Sequence, residues 1–186
     1  MKITIAVASA LAAFALVSCT DLSNYYTRAE TDALTDGTPV SFSVKLTSSY
    51  NWPYDGAVSQ VDFHTTGHVV SNTGNAYNDS TSTFIVPDDG TYSFTGSVRF
   101  NSISQGDLIY VFLRAARAGV DTCNYYGDWH YAGGIGEGLS VTTTLALHAG
   151  TQVQLWAYVN ATTPPAVVYG NTTSYYFTAF SGARVR

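Results

Sequence analysis

Charge is what this chain has least of. Asp, Glu, Lys and Arg make up 11% of its 186 residues, against a usual share of about 25%. No Lys or Arg falls between Lys45 and Arg99, and the formal charge is −5. Without a basic stripe there is nothing to track a phosphate backbone, so nucleic acid is not an expected partner. Cysteine is as scarce. With only Cys19 and Cys123 there is no disulfide framework, and the core must hold the fold. Metal and cofactor patterns are missing too. His64 and His68 stand four apart, but in strand or turn backbone that spacing does not converge on one ion. His130 and His148 have no partners at ligand spacing. The run Gly133-Gly134-Ile135-Gly136-Glu137-Gly138 lacks the lysine and the strand-to-helix setting of a phosphate loop, and no Gly-x-Ser-x-Gly elbow occurs. A glycosidase pair would have to come from Asp55, Asp62, Asp107, Asp121 and Asp128, which no spacing pairs. The expectation is a protein that is not an enzyme and carries no cofactor or metal.

Apolar and aromatic residues are plentiful. Hydrophobic content is 46%, with 14 Tyr, 9 Phe and 3 Trp, enough for one well-filled core plus an appendage. The stretch Thr83-Phe84-Ile85-Val86-Pro87-Asp88-Asp89-Gly90-Thr91-Tyr92-Ser93-Phe94 organises the rest. Pro87 presets a turn corner, the aspartates bond their own backbone, and Gly90 closes the loop. After it, Tyr92, Phe94, Gly96, Val98 and Phe100 alternate with polar residues, the period of a half-buried strand. Further strands are expected at 42–46, 57–63, 84–86, 108–115, 140–147, 152–159 and 175–185, with no convincing helix among them. That pattern predicts an all-β sandwich or jelly roll.

Two of these strands are apolar on both faces. Leu108, Tyr110 and Phe112, and likewise Tyr176 and Phe180, need cover beyond a two-layer sandwich, which points to copies meeting in a symmetric oligomer. Aromatic side chains also crowd two segments expected as loops. Trp52 and Tyr54 lie in a turn at 51–56, and Tyr125, Tyr126, Asp128, Trp129, His130 and Tyr131 lie in the segment 124–131. Rings that stack on sugars beside an acid that reads hydroxyls would make a glycan-binding site, and recognition residues tend to sit on loops.

The N-terminal part divides in two. Residues 1–19 pair a lone Lys2 with an apolar run ending in Leu16-Val17-Ser18-Cys19, the layout of a secretion signal. Its end resembles a bacterial lipobox, which makes Cys19 a candidate lipidation site. The alternative is a retained hydrophobic anchor arm. Residues 20–39 are expected as a helical neck and linker. Thr27 and Glu30 fit a capping box, Leu22, Tyr26, Ala29 and Ala33 form a short seam, and Asp36-Gly37-Thr38-Pro39 ends it. Tyr25-Tyr26-Thr27-Arg28-Ala29-Glu30-Thr31-Asp32-Ala33-Leu34 is similar to a segment of phage tail fibres and spikes, where three chains share an axis.

A broader resemblance covers residues 40–186. Val61 and Phe63, Asn75-Ala76-Tyr77-Asn78 and Phe84-x-x-Pro87-x-x-Gly90-Thr91-Tyr92-x-Phe94 come first. Leu145-x-Leu147-x-x-Gly150-x-x-Val153-x-Leu155 and Phe180-Ser181-Gly182 follow in order. Together they resemble the complement globular-head (C-one-q) domain of the tumour-necrosis-factor-like superfamily. The chain departs from that pattern at Gly150-Thr151 and in an insertion rich in Tyr, Trp and Gly near 123–139. The resemblance implies a ten-stranded jelly roll, trimeric, binding ligands rather than catalysing. With the neck, it implies a homotrimeric phage fibre or spike knob on the virion surface. Such a knob would contact other virion proteins through the N-terminal arm and a host glycan or protein receptor through the head. A surface lipoprotein anchored at the bacterial outer membrane and a purely structural decoration protein are the alternatives.

Overall fold

The computed structural model describes residues 39–52, 56–119, 122–134, 136–161, 165–172 and 178–185. The expected signal, Cys19 and helical neck lie outside them, as do Tyr54 and Tyr176.

Alternating apolar and polar residues produce strands throughout. In chain order these are β1 (Ser41–Leu46), β2 (Ser48–Asn51), β3 (Val58–Gln60), β4 (Gly67–Thr73), β5 (Tyr77–Asn78), β6 (Thr83–Ile85) and β7 (Gly90–Asn101), then β8 (Leu108–Ala116), β9 (Cys123–Tyr131), β10 (Glu137–Leu147), β11 (Gln152–Asn160), β12 (Val167–Asn171) and β13 (Ala179–Arg184). A 3-10 turn, Asp79–Thr81, lies between β5 and β6. They form two antiparallel sheets. A seven-stranded sheet runs β2-β12-β7-β13-β1-β4 with β10 also on β7, and a six-stranded sheet runs β5-β6-β11-β8-β9 with β3 on β11. The fold is the expected all-β jelly roll, with thirteen strands among the described residues where the resemblance implies ten.

The strands that the sequence pattern singled out pair most extensively. β7 carries β10 along its whole length, from Gly90↔Leu147 to Phe100↔Glu137, and β13 on its other side. Strict alternation in β7 sends Tyr92, Phe94, Val98 and Phe100 inward. They meet Ile109, Val111 and Leu113 of β8 and Val153, Leu155 and Val159 of β11 in one continuous core. Phe42, Phe84, Phe94 and Phe180 cluster at one end, with Phe42 and Phe180 edge-on at 4.8 Å and Phe84 and Phe94 edge-on at 5.4 Å. Edge-on rings gain beyond the area they bury. Where rings are this large, the strand between two of them must carry no side chain: Gly182 pairs with Phe42 on one side and Phe94 on the other, and a Cβ there would sit 2.8 Å from the Phe42 ring.

This packing corrects two expectations. Phe180, expected between copies, is fully buried inside its own sandwich, because its place in β13 puts it on the inner face. Trp52, expected to stack on a ligand, is also buried, edge-on to Phe100 at 5.7 Å.

Candidate functional site

The largest departure from expectation is at 123–131. This segment, expected as a loop, is strand β9, paired with β8 from Leu108↔Tyr131 to Ala115↔Cys123, with a bulge between Tyr110 and Phe112. The bulge breaks the alternation around Gly127, which hides the strand from a period-two reading. Glycine is required there, since a Cβ would run into the Ser140 carbonyl of β10.

Pairing fixes which side chains share a face. On the outer face of the six-stranded sheet, Tyr158, Tyr110 and Trp129 form one cross-strand row, and Trp156, Phe112 and Tyr126 the next. Tyr110 and Tyr158 stack at 4.6 Å and 7°. Phe112 contacts Tyr126 at 5.1 Å and Trp156 at 6.2 Å. Cross-strand aromatic neighbours of this kind stabilise a sheet by about 0.2–1 kcal/mol each. They also cover Phe112, which is only 3% exposed. Part of the cover that the sequence assigned to another copy is therefore supplied by β9 and β11. Burial lifts the Tyr110 phenol above its ordinary range, and Tyr126 and Tyr158 add to the shift.

The outermost rings stay in solvent. Tyr126, Trp129 and Tyr131 are 66%, 68% and 67% exposed. Leu108 lies half-buried on the same face. The expected ligand residues of β9 and the expected contact residues of β8 thus form one surface. The remaining residues of β9 turn elsewhere. Tyr125 packs against the core. Asp128 accepts from the backbone N–H and the hydroxyl of Ser140, both at 2.9 Å. His130 Nε2 lies 3.6 Å from Glu137 Oε2.

Four residues of this surface escaped the sequence reading: Arg114, Gln154, Trp156 and Tyr158. Alternation at 152–159 could have found the last three, because Val153, Leu155, Ala157 and Val159 take the core side. The indole of Trp156 is held in place. Its N–H donates to Gln154 Oε1 at 3.0 Å, Gln154 Nε2 donates to Thr83 Oγ1 at 2.9 Å, and that hydroxyl donates to the Thr81 carbonyl at 2.8 Å. Beside it opens a groove of about 810 Å³, bordered by Tyr50, Gln60, Asp62, Gln152 and Gln154. The described carboxylates proposed for acid–base work lie apart in separate local bonds. Asp62 accepts from the His64 N–H and Thr65, Asp107 from the Ser104 N–H, and Asp128 from Ser140. Asp55 and Asp121 lie outside the described residues.

The seven-stranded sheet has a different outer face. Ser93, Thr95 and Ser97 of β7 lie beside Thr144, Thr142 and Ser140 of β10 and beside Ala183, Ser181 and Ala179 of β13. The Thr95 and Thr142 hydroxyls meet at 3.2 Å. It is a surface of small hydroxyl side chains.

Two antiparallel sheets in this order define a jelly roll, with one outer face aromatic and the other hydroxylated. The C1q domain model matches residues 41–182, and the chain belongs to that family. Domains of the C1q and TNF-like type are typically trimeric, extracellular and non-enzymatic, and bind ligands or receptors. No curated protein matches the chain in sequence. Solved structures share the fold at low identity. The globular domain of zebrafish complement 1qA is 16% identical with TM-score 0.53, over 81% of this chain and 98% of that one. Murine APRIL is 12% identical with TM-score 0.57, over 79% and 99%. Eiger TNF from S. frugiperda is 10% identical with TM-score 0.54, over 81% and 94%.

Proposed function

We propose that this chain is the non-enzymatic, trimeric head of a bacteriophage fibre or spike, and that it binds a host surface glycan through the aromatic outer face of the six-stranded sheet. The observation that carries the binding role is the run of exposed rings on that face, Tyr126, Trp129 and Tyr131. Contiguous exposed apolar surface marks interaction sites, and flat rings beside amide groups suit the apolar faces and hydroxyls of sugars. The phage setting rests on the neck segment 25–34, and the arm before it would hold other virion proteins. Copies meet through the hydroxyl face, whose small side chains allow close approach.

Adsorption of the full-length protein to host cells tests this. Trp129→Ala and Tyr126→Ala are expected to weaken adsorption about ten-fold or more each, in the range of interface hot spots, while the assembly keeps its mass. Unchanged adsorption by both variants contradicts the assignment.

A surface lipoprotein with the same head is the second reading, favoured by Leu16-Val17-Ser18-Cys19. An intact mass starting at a diacylglyceryl Cys19 supports it, and a retained Met1 or Lys2 supports the virion component.

A further inference from the structure

The outward row of β8 carries one charge. Arg114 of β8 is half-buried between Gln154 of β11 and Asn124 of β9. Its Cζ lies 4.7 Å from the centroid of the Trp156 ring. Among the described residues no carboxylate pairs with it. The paired outward positions of β3, β8, β9 and β11 hold no other charged side chain, and Asp128, unpaired at the bulge of β9, is bonded to Ser140. A half-buried guanidinium held, among the described residues, by a ring face rather than by a carboxylate keeps donors to offer an anion.

We infer that Arg114 is the specificity residue of this surface and that the ligand is an acidic glycan, one whose sugars carry a carboxylate. This inference rests on the glycan-binding role proposed above. A guanidinium holds its N–H donors in its own plane, so contact with the indole through a face leaves them available for a bidentate bond to a carboxylate. The indole is itself fixed by the Gln154 and Thr83 hydrogen bonds, so the cation is positioned before the ligand binds. Asn124, in register with Arg114 and exposed, is placed to read a neighbouring hydroxyl. From Arg114 to Leu108 the strand spans roughly 20 Å at about 3.3 Å per residue. The carboxylate-bearing unit would sit at Arg114, and the following units would run over Tyr126 toward Trp129 and Tyr131.

The test is titration of the full-length protein with a galacturonic acid oligomer and with the same oligomer after reduction of its carboxyl groups. Wild type is expected to bind the acidic oligomer at least about ten-fold more tightly, with the difference shrinking as salt is raised. Arg114→Gln is expected to bind both forms equally, at the affinity of wild type for the reduced one. Arg114→Lys, which keeps the charge without the planar fork, is expected to fall between. Thermal melts of both variants control for folding, and Lys remains informative if Gln melts early. Equal binding of the two oligomers by wild type overturns the inference while leaving glycan binding intact, as does a preference that survives Arg114→Gln. Binding of neither oligomer by wild type overturns the assignment of this ligand class, and host-cell adsorption then reports on the binding role separately. Dissociation of the assembly by Arg114→Gln, with binding unchanged, makes a carboxylate of another copy the partner instead.

Discussion

The aromatic face and the hydroxyl face are made by the same device, a strand whose alternate residues fill one core, yet their outward residues have opposite characters. On β8, β9 and β11 these include Tyr110, Phe112, Tyr126, Trp129, Trp156 and Tyr158. On β7, β10 and β13 they include Ser93, Thr95, Thr142, Thr144 and Ser181. Large rings on an outer face leave apolar surface in water that only a partner can cover. Small hydroxyls bond to each other or to water and need no partner, yet they allow a second backbone to come near. In the assembly we propose, the first surface meets the ligand and the second a neighbouring copy.

The contrast can be broken at several levels. The largest effect is expected from Phe94→Ala, in the core that both faces share. Losing a fully buried ring should destabilise the fold by about 3–5 kcal/mol, read by chemical denaturation, and both faces should fail together. Next, Thr95→Arg with Thr142→Arg places charge on the hydroxyl face alone. Sedimentation should then show monomers, and adsorption should weaken through lost avidity rather than through each head. Trp129→Ala acts on the other face alone. It should reduce glycan affinity by about 2 kcal/mol, roughly 30-fold, with the sedimentation coefficient unchanged.

The smallest effect concerns alkaline pH. The folded protein favours the neutral Tyr110 phenol, whose pKa is raised by burial. Its contribution to stability is therefore complete below the unfolded value of about 10 and is lost as pH rises through the folded value. Tyr92, also raised by burial, behaves the same way from inside the core. Tyr110→Phe should flatten only part of the alkaline loss of stability, measured by denaturation between pH 9 and 11.

Most of the hydroxyl sheet was legible in the sequence, because β7 and β10 alternate without interruption and a turn of defined chemistry precedes β7. The aromatic sheet was legible only in halves. Residues 108–113 announced a strand with two apolar faces, and 124–131 announced a group of rings. Their union did not show, because the bulge beside Gly127 breaks the period and because register is a long-range property that local pattern does not carry. β4 was missed for a related reason. Its His68, Val70, Ser71 and Thr73 are exposed, so the edge strand lacks a regular apolar period. Phe180 was misplaced because an apolar run such as Phe177-Thr178-Ala179-Phe180 does not say which of its residues face inward. Arg114 carried no signal at all, since its meaning depends on the Trp156 ring that a neighbouring strand brings under it.

The central claim is that the aromatic face looks outward in the assembled protein. The measurement that bears on it most directly is the native mass of a Tyr126→Ser, Trp129→Ser double variant, beside that of the wild type, at micromolar concentration. Both should have the mass of a trimer, with only the variant failing to adsorb. A variant that falls apart into monomers would place these rings between copies and contradict the claim.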